Sequence, residues 1–443
     1  MKKSSFVFLS KFIIMEIEFV NHSSFVVHHD GIVLMIDPWI EGRVFNNGWE
    51  LLSKTVFEFE DFSSVTHIWF SHEHPDHFYP PNIARIPEEY RKRITVLFQV
   101  TVDKRVVSHC KKVGFKEVIE MHPNEHIQLS PDVSVLCEQY QEGDSWLALK
   151  TKDLTLFNTN DCGIRDKNDA LKIQKKVGKI DVLLTQFSYA YWAGNREEVT
   201  YRRKIADEKL EGLKFQVEMF QPKILIPIAS YIWFCHEENF YLNDEVNRPK
   251  KVYDFVAEKT SAKPVVLYPG DRYIPYQDFD SKSSIQRYNE DFVRILKGKN
   301  LVRIVPVSEP EMLAQGKAFI ENLKVDFGVW TKLLSPTNIW VTDYNRAYEL
   351  SLEKGLVPTE KVENLCDASL SAESLVFNFK FPWGNDTLGI NGRYQRPKGG
   401  NYSRFYNFFR YNQLKSRGIK VGLGYFTGMA IRKVLVKAGL QKI

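Results

Sequence analysis

The chain has 443 residues, of which 44% are hydrophobic and 26% are charged, and its formal net charge is +5. This composition is typical of a globular protein and excludes a disordered or fibrous chain. The length exceeds the usual size of a single hydrophobic core, so we expect one large domain and a smaller one. The five scattered cysteines do not resemble a disulfide framework. They favour a reducing compartment, and we expect a cytoplasmic protein.

The first strands are predicted after an N-terminal extension. Lys11 interrupts the short apolar run near the start and no small-residue cleavage site follows, so we expect residues 1–14 to be disordered rather than a signal peptide. The pattern from residue 16 onward predicts antiparallel strands, with Asp30-Gly31 as a hairpin turn. The run Val65–Phe70 predicts a buried strand that leads into a His-rich loop.

Further strands and helices follow in alternation. Val133–Cys137 and Ile180–Phe187 are apolar runs that predict buried strands. Apolar residues then recur at helical spacing up to Phe220, which predicts a long amphipathic helix that ends before Pro222. Strands with helices between and after them favour two packed sheets with helices on the outer faces. No apolar run approaches the ~20 residues that a membrane-spanning helix needs.

The C-terminal third differs in composition from the rest. A polar stretch at residues 278–284 predicts a boundary between a first domain, residues 15–277, and an α+β C-terminal domain, residues 285–443. Residues 387–443, the basic aromatic end, contain no Asp or Glu but twelve Lys or Arg and several aromatic residues. We expect this end to contact an anionic membrane surface peripherally, and we do not expect nucleic acid as the partner. A solvated helix that balances an acidic body is the alternative.

The segment His72-Glu73-His74-Pro75-Asp76-His77 carries the strongest chemical signal. In a core, each of its three imidazoles would need its own hydrogen-bond partner, whereas a shared metal ion satisfies all of them. Imidazole and carboxylate suit zinc or iron, and the absence of a thiolate argues against a closed structural zinc site. We therefore expect an open, catalytic metal centre, with a polar surface loop as the alternative.

This motif after a strand resembles the signature of the metallo-β-lactamase fold superfamily. The resemblance covers about residues 15–276 and implies an α/β fold, the αββα sandwich, with one or two metal ions at one edge of the sheets. It implies six metal ligands, which are His72, His74, Asp76, His77, Asp161 and His236. It also implies that Asp37 orients the ligand loop, and Asp76 is expected to act as a base where it is not a ligand.

One position departs from the superfamily pattern. The superfamily places a further histidine on the loop after a strand such as Val133–Cys137, and this loop has none. Gln141 or Glu142 is the expected replacement ligand; alternatively, one metal site is weak or vacant. We expect one or two divalent ions, with zinc as the first expectation and iron as the alternative.

Longer phrases resemble the metallo-β-lactamase-like part of the CMP-N-acetylneuraminate hydroxylase family, among them Asp37-Pro38-Trp39-Ile40-Glu41-Gly42 and Asn158-Thr159-Asn160-Asp161-Cys162. The Rieske iron–sulfur domain of that family needs Cys-x-His and Cys-x-x-His pairs, and this sequence has neither. The resemblance therefore implies a hydrolase that attacks an anionic substrate through a metal-activated water. A nucleotide sugar, a phosphodiester and a phospholipid are the substrate classes left open.

Two other functions remain open. The first is an iron-dependent oxygenase that uses a separate electron donor, and the second is a non-catalytic protein that binds through the basic aromatic end. Aromatic residues near the metal ligands are candidates for a substrate pocket, with ordinary core packing as the alternative. These candidates are Trp49, Tyr191, Trp192 and Tyr231.

Overall fold

A computed structural model describes residues 15–141, 143–298, 300–425 and 427–428, and the predicted extension lies outside them. The strands, in chain order, are β1 (Glu16–Asn21), β2 (Ser24–His29), β3 (Ile32–Ile36), β4 (Trp49–Leu51), β5 (His67–Phe70), β6 (Thr95–Gln99), β7 (Glu117–Met121), β8 (His126–Gln128), β9 (Ser134–Tyr140), β10 (Asp144–Lys150), β11 (Thr155–Asn160), β12 (Val182–Gln186), β13 (Ile224–Ile228), β14 (Ile232–Phe234), β15 (Lys263–Pro264), β16 (Arg272–Tyr273), β17 (Thr337–Val341), β18 (Arg346–Ser351), β19 (Gly355–Thr359) and β20 (Ala368–Leu370). The helices are α1 (Pro80–Arg85), α2 (Glu88–Arg91), α3 (Arg105–Lys112), α4 (Lys167–Val177), α5 (Val199–Phe220), α6 (Pro249–Lys259), α7 (Ser281–Gly298), α8 (Glu309–Phe327), α9 (Ala372–Lys380), α10 (Gly384–Asn391) and α11 (Tyr402–Ser416).

Two seven-stranded sheets form the larger part of the described chain. The first has the order β16-β1-β2-β3-β5-β6-β7 and the second has the order β15-β13-β12-β11-β10-β9-β8. In the first sheet, β1 to β3 pair antiparallel, whereas β3, β5, β6 and β7 run parallel. In the second sheet, β11, β12, β13 and β15 run parallel. Parallel strands of each sheet therefore end at a common edge.

Successive side chains of the first sheet belong to different cores. Trp69 and Leu97 pack in the core between the sheets, whereas their neighbours Ile68 and Val96 pack in the outer core. This alternation follows from the two-residue repeat of a strand. The outer core also contains Ile83 of α1, so helices cover the outer face of this sheet.

The second sheet is covered in the same way by the long helix α5. Leu213 and Val217 of α5 belong to the core that contains the strands β12 and β13. The helix ends as predicted at Phe220, because Gln221 adopts a left-handed conformation with φ of 48° and Pro222 follows. The order of layers is helix, sheet, sheet, helix, which confirms the predicted αββα sandwich.

The packing changes from the first core to the second after α7, not before it. Ile285, Tyr288 and Phe292 of α7 lie in the first core, and the ring of Tyr288 stacks on Tyr231 with a centroid distance of 4.4 Å. The sequence places the boundary at residues 278–284, ahead of this helix. An amphipathic pattern shows that a helix packs against a core, but it does not show which core.

The second core surrounds a four-stranded sheet of order β19-β18-β17-β20, packed against α8, α9 and α11. Phe405, Phe408 and Phe409 of the basic aromatic end are buried in it. These aromatic side chains therefore build the core instead of facing a membrane. Phe426 and residues 429–443 lie outside the described residues, and membrane contact stays a prediction. Among the helices that the structure describes, none combines the length and apolar character of a membrane span.

Candidate metal centre

The central motif lies at the edge where parallel strands of both sheets end. β5 ends at Phe70 and leads into residues 71–77, and β11 ends at Asn160 immediately before Asp161. β3 ends one residue before Asp37. Because the carboxyl ends of parallel strands meet at one edge, polar residues that are distant in sequence come together there.

Two groups of potential ligands adjoin each other at this edge. His72, His77 and Asp161 each offer a ligand atom, and these atoms lie within 4.8 Å of one another. His22, Asp76 and His77 form a second group by the same measure. Nε2 of His77 lies 3.2 Å from Oδ2 of Asp76 and 3.4 Å from Oδ2 of Asp161. His77 is therefore common to both groups.

Asp37 fixes the orientation of His77. One oxygen of its fully buried carboxylate lies 2.9 Å from Nδ1 of His77, and Ser71 donates to the two oxygens from its backbone N–H and its hydroxyl, each at 2.7 Å. The amide of Asn160 also donates to this carboxylate. With Nδ1 engaged, Nε2 of His77 points toward Asp76 and Asp161, which is the arrangement that carboxylates give to metal-binding histidines.

Burial and charge set the protonation of the ligand group. Burial raises the pKa of Asp76, but the His77 and His22 imidazoles outweigh it and hold that pKa well below its usual range. Burial and the neighbouring imidazoles of His77 and His74 lower the pKa of His72 to about 4. His72 is therefore neutral at pH 7, which is the form that binds metal ions.

The residues fit a divalent metal ion. Oδ1 of Asp76 is buried and finds no hydrogen-bond partner in the part of the chain that the structure describes. An unpaired buried acceptor is costly, and a cation satisfies it. Imidazole nitrogens and carboxylate oxygens are donors that suit zinc and iron, and no thiolate lies in either group.

His74 contacts the ligand groups from outside. Its Nδ1 lies 2.9 Å from Nε2 of His72, and its Nε2 lies 3.2 Å from the carboxylate of Asp386 in α10. Burial lowers the pKa of His74, but the hydrogen bond and charge of Asp386 outweigh it and raise the pKa to about 9. Nothing in the sequence near Asp386 signals this contact, because it depends on how the second core packs against the first.

His236 lies apart from both groups, contrary to the ligand set that the resemblance implies. It is buried beside Glu238 and Glu373, whose carboxylates are 2.8 Å and 2.7 Å from the guanidinium of Arg393. Burial and the charge of Arg393 lower the pKa of His236 to about 4. A permanent positive charge at this place disfavours a metal cation. His236 was matched to the superfamily pattern by its order along the chain, and this order does not determine where its side chain lies in the fold.

Asp144 lies where the superfamily pattern has its further histidine. Its Oδ1 is 3.8 Å from Nε2 of His72, at the start of β10. Burial and the charge of Asp161 raise the pKa of Asp144 to about 6. Gln141 lines a cavity of about 240 Å³ together with His72 and Asp144, and Glu142 lies outside the described residues. No local sequence pattern singles out Asp144 as a ligand.

His22 is a second residue that the sequence analysis missed. It occupies the turn between β1 and β2 with a left-handed φ of 45°, and it is 1% exposed. Its Nε2 lies 3.3 Å from Oδ2 of Asp76. Non-glycine residues at positive φ are uncommon and concentrate at functional sites. A histidine in a short turn between two apolar strands was the available signal.

The four aromatic candidates for a substrate pocket have different positions. Trp49 and Tyr231 are buried in hydrophobic cores, so they do not line a pocket beside the metal ligands. Trp192 stacks on Tyr394 with a centroid distance of 5.4 Å. Tyr191 lines a cavity that also contains Asp161. Aromatic side chains fill cores as readily as pockets, and the sequence does not separate the two roles.

Residues 16–207 match the family model described as the beta-lactamase superfamily domain. The resemblance stated from the motif is therefore confirmed. A Mycolicibacterium smegmatis protein named as a Rieske 2Fe-2S iron-sulfur protein is 22% identical over 254 residues, which cover 54% of this chain and 48% of that protein. The cytidine monophosphate-N-acetylneuraminic acid hydroxylase of Danio rerio is 22% identical over 48% of this chain and 37% of that enzyme. The chain spans about half the length, or less, of these curated relatives.

Two solved structures are similar to part of this chain. CmlA, a diiron β-hydroxylase from Streptomyces venezuelae, is 15% identical with a TM-score of 0.42, and the match covers 59% of this chain and 54% of that one. A protein from Veillonella parvula described as a metal-dependent hydrolase is 14% identical with a TM-score of 0.44, over 59% of this chain and 99% of that one. At these identities the likeness concerns the fold alone.

Proposed function

We propose that the beta-lactamase superfamily domain of this chain, residues 16–207, is a metal-dependent hydrolase that acts on an anionic substrate. The observation that supports this function is the pair of adjoining ligand groups at the common strand edge, His22, Asp76 and His77 beside His72, His77 and Asp161. A bound ion of this kind lowers the pKa of a water molecule and polarises the bond under attack.

The contact between Asp37 and His77 divides the ligands between two ions. Since Nδ1 of His77 is engaged by Asp37, only Nε2 is available, and one nitrogen lone pair serves one ion. We assign His77 to an ion held together with Asp76 and His22. A second set consists of His72 and Asp144. Asp161 lies within reach of both sets.

The remaining residues of the centre position groups and accept protons. Where Asp76 is not a ligand, its carboxylate is the proposed proton acceptor, since it lies 3.3 Å from His22 and 3.2 Å from His77. His74 is held by Asp386 and contacts His72, and it lines the same cavity as Gln141.

Metal content and phosphodiester hydrolysis test this function together. Protein purified without chelator is analysed for zinc and iron per chain, and the hydrolysis of bis(p-nitrophenyl) phosphate is followed with and without chelator. We expect bound metal and chelator-sensitive hydrolysis, both strongly reduced in Asp76→Ala. His122→Ala is the matched control, because His122 is on an exposed turn before β8. Protein without metal, or hydrolysis that Asp76→Ala leaves unchanged, contradicts the proposal.

An iron-dependent oxygenase is the second candidate, and Asp144 favours it. A carboxylate in place of a histidine adds an oxygen donor to the set around His72 and makes it more suitable for iron. We expect Asp144→His to shift the zinc-to-iron ratio of the purified protein toward zinc. Asp153→His, on the exposed turn before β11, is the control. An unchanged ratio in Asp144→His argues that Asp144 is not a ligand.

A further inference from the structure

A second cavity, separate from the one that Gln141 lines, adjoins the candidate metal centre at Asp161. Its volume is about 170 Å³, and it lies between the ends of β11 and β12 and the helix α5. Two cations line it, Arg165 from the segment before α4 and Lys209 from α5. Thr185 and Tyr191 also line this cavity.

Neither cation has a carboxylate partner within ion-pair distance in the described part of the chain. The ammonium of Lys209 donates to Oε1 of Gln186 and lies 5.4 Å from the centre of the Tyr191 ring. Arg165 donates to the backbone carbonyl of Glu208 at 2.8 Å. Other cations of α5 are paired with carboxylates, for example Arg203 with Glu245 at 2.7 Å.

Their donors exceed the acceptors that the protein supplies. A lysine ammonium carries three N–H donors and a guanidinium carries five, but each of these two side chains forms one hydrogen bond within the described part of the chain. Holding two like charges beside one cavity is unfavourable unless an anion is bound between them. Arginine and lysine are the side chains that recognise the oxygens of a phosphoryl group.

We propose that Arg165 and Lys209 form a subsite for a phosphoryl group of the substrate. This inference rests on the proposed function and names its substrate class, a phosphate ester whose reacting bond lies at the metal centre. A chain of hydrogen bonds joins the two places, because Gln186 accepts from Lys209 and donates from Nε2 to Oδ1 of Asp161 at 3.0 Å. The subsite is therefore adjacent to the ligand that lies between the two sets.

Binding of inorganic phosphate, measured by isothermal titration calorimetry on the purified, metal-containing protein, tests the subsite. We expect the dissociation constant to rise about tenfold or more in Lys209→Met and in Arg165→Gln, while the metal content stays that of the unchanged protein. Arg165 is exposed, so its replacement does not endanger folding. Lys204→Met is the matched control on α5, since Lys204 is exposed and pairs with Glu208; its dissociation constant should change less than twofold.

Each result decides a different point. Phosphate affinity that is unchanged in an Arg165→Gln, Lys209→Met double variant with full metal content overturns the subsite, because phosphate is then bound by the metal ions alone. Absence of phosphate binding by the unchanged protein overturns it as well. If phosphate binding depends on Arg165 and Lys209 but no phosphodiester is hydrolysed, the subsite stands and the proposed hydrolase activity fails.

A second measurement separates the phosphoryl group of a substrate from free phosphate. In Arg165→Gln we expect KM for bis(p-nitrophenyl) phosphate to rise about tenfold, whereas the hydrolysis of the uncharged ester p-nitrophenyl acetate changes less than twofold. An equal loss for both esters contradicts recognition of the phosphoryl group.

Discussion

Nε2 of His74 lies 3.2 Å from the carboxylate of Asp386, although 312 positions of sequence separate the two residues. Asp386 is itself held by the amide of Gln413 at 2.9 Å and by Arg417 at 3.3 Å, both at or near the end of α11. The second core therefore reaches the candidate metal centre through a specific contact. His74, in turn, contacts His72, one of the candidate ligands.

Replacing Asp386 should lower stability in a pH-dependent way. The pKa of His74 is raised to about 9, above its ordinary value of 6.5, so protonated His74 stabilises the fold fully below pH 6.5. This contribution is lost as the pH rises through 9. We expect metal-free Asp386→Asn to lose about 1–2 kcal/mol of unfolding free energy at pH 6 and less at pH 9.5, measured by urea denaturation.

The control for Asp386 is another carboxylate that pairs with α11. Asp326 lies 2.5 Å from the ammonium of Lys415, and no histidine takes part in this pair. Asp326→Asn should therefore lose a similar, small amount at both pH values. An equal loss at pH 6 and pH 9.5 in Asp386→Asn contradicts the role of His74.

Single replacements should remove the metal ions one at a time. If one ion is held by His22, Asp76 and His77, His22→Ala loses that ion and retains the one at His72. His72→Ala should show the opposite loss. Elemental analysis of the two proteins, and of a His22→Ala, His72→Ala double variant, checks the assignment. Full metal content in His22→Ala would remove His22 from the ligand set.

Arg393 should be essential for stability although it is remote from the ligands. It is fully buried and neutralises Glu238 and Glu373, and it also donates to the backbone carbonyl of Asn46 at 2.6 Å. Arg393→Met leaves two buried carboxylates without a cation, so we expect a loss of about 3–5 kcal/mol in urea denaturation. Arg303→Met removes an exposed ion pair with Glu237 and should cost ~0.5 kcal/mol. Similar losses of unfolding free energy in the two variants would contradict the role of Arg393 in neutralising the two buried carboxylates.

The buried ammonium of Lys209 should lower the free energy of unfolding at neutral pH. Burial lowers its pKa to about 8, whereas a lysine in the unfolded chain titrates near 10.5. The unfolded state therefore binds more protons between these values, and stability rises with pH in this window. We expect Lys209→Met to be more stable than the unchanged protein by about 1 kcal/mol or more at pH 7, with a smaller difference at pH 9.5. A variant that is less stable at pH 7 contradicts the cost of burying this charge.

The sequence predicted those parts of the centre that depend on local pattern. The His72 to His77 segment directly follows the apolar run that predicts a buried strand. Because neighbouring parallel strands end at the same edge of a sheet, this run also predicted that the segment lies at the sheet edge. Asp37 and Asp161 were implied by the resemblance to the superfamily. Each stands directly after a strand of the sandwich.

The other residues of the candidate centre could not be predicted, because their positions depend on contacts between segments that are distant in sequence. Asp144 is adjacent to His72 because of the pairing of β9 with β10. It is the first residue of β10, three positions after the predicted ligand Gln141. Asp386 depends on the docking of the second core. His236 follows a strand, as the resemblance requires, but the strand is β14, which pairs with β4 outside the two large sheets.

The location of the ligands early in the chain affects the order in which the centre can be made. His22, His72, Asp76, His77, Asp144 and Asp161 all precede the second core, whereas Asp386 is made 312 residues after His74. At a synthesis rate of ~5–20 residues per second, that interval is roughly 15–60 s. The candidate ligands of a nascent chain are therefore all synthesised before the residue that restrains His74 exists.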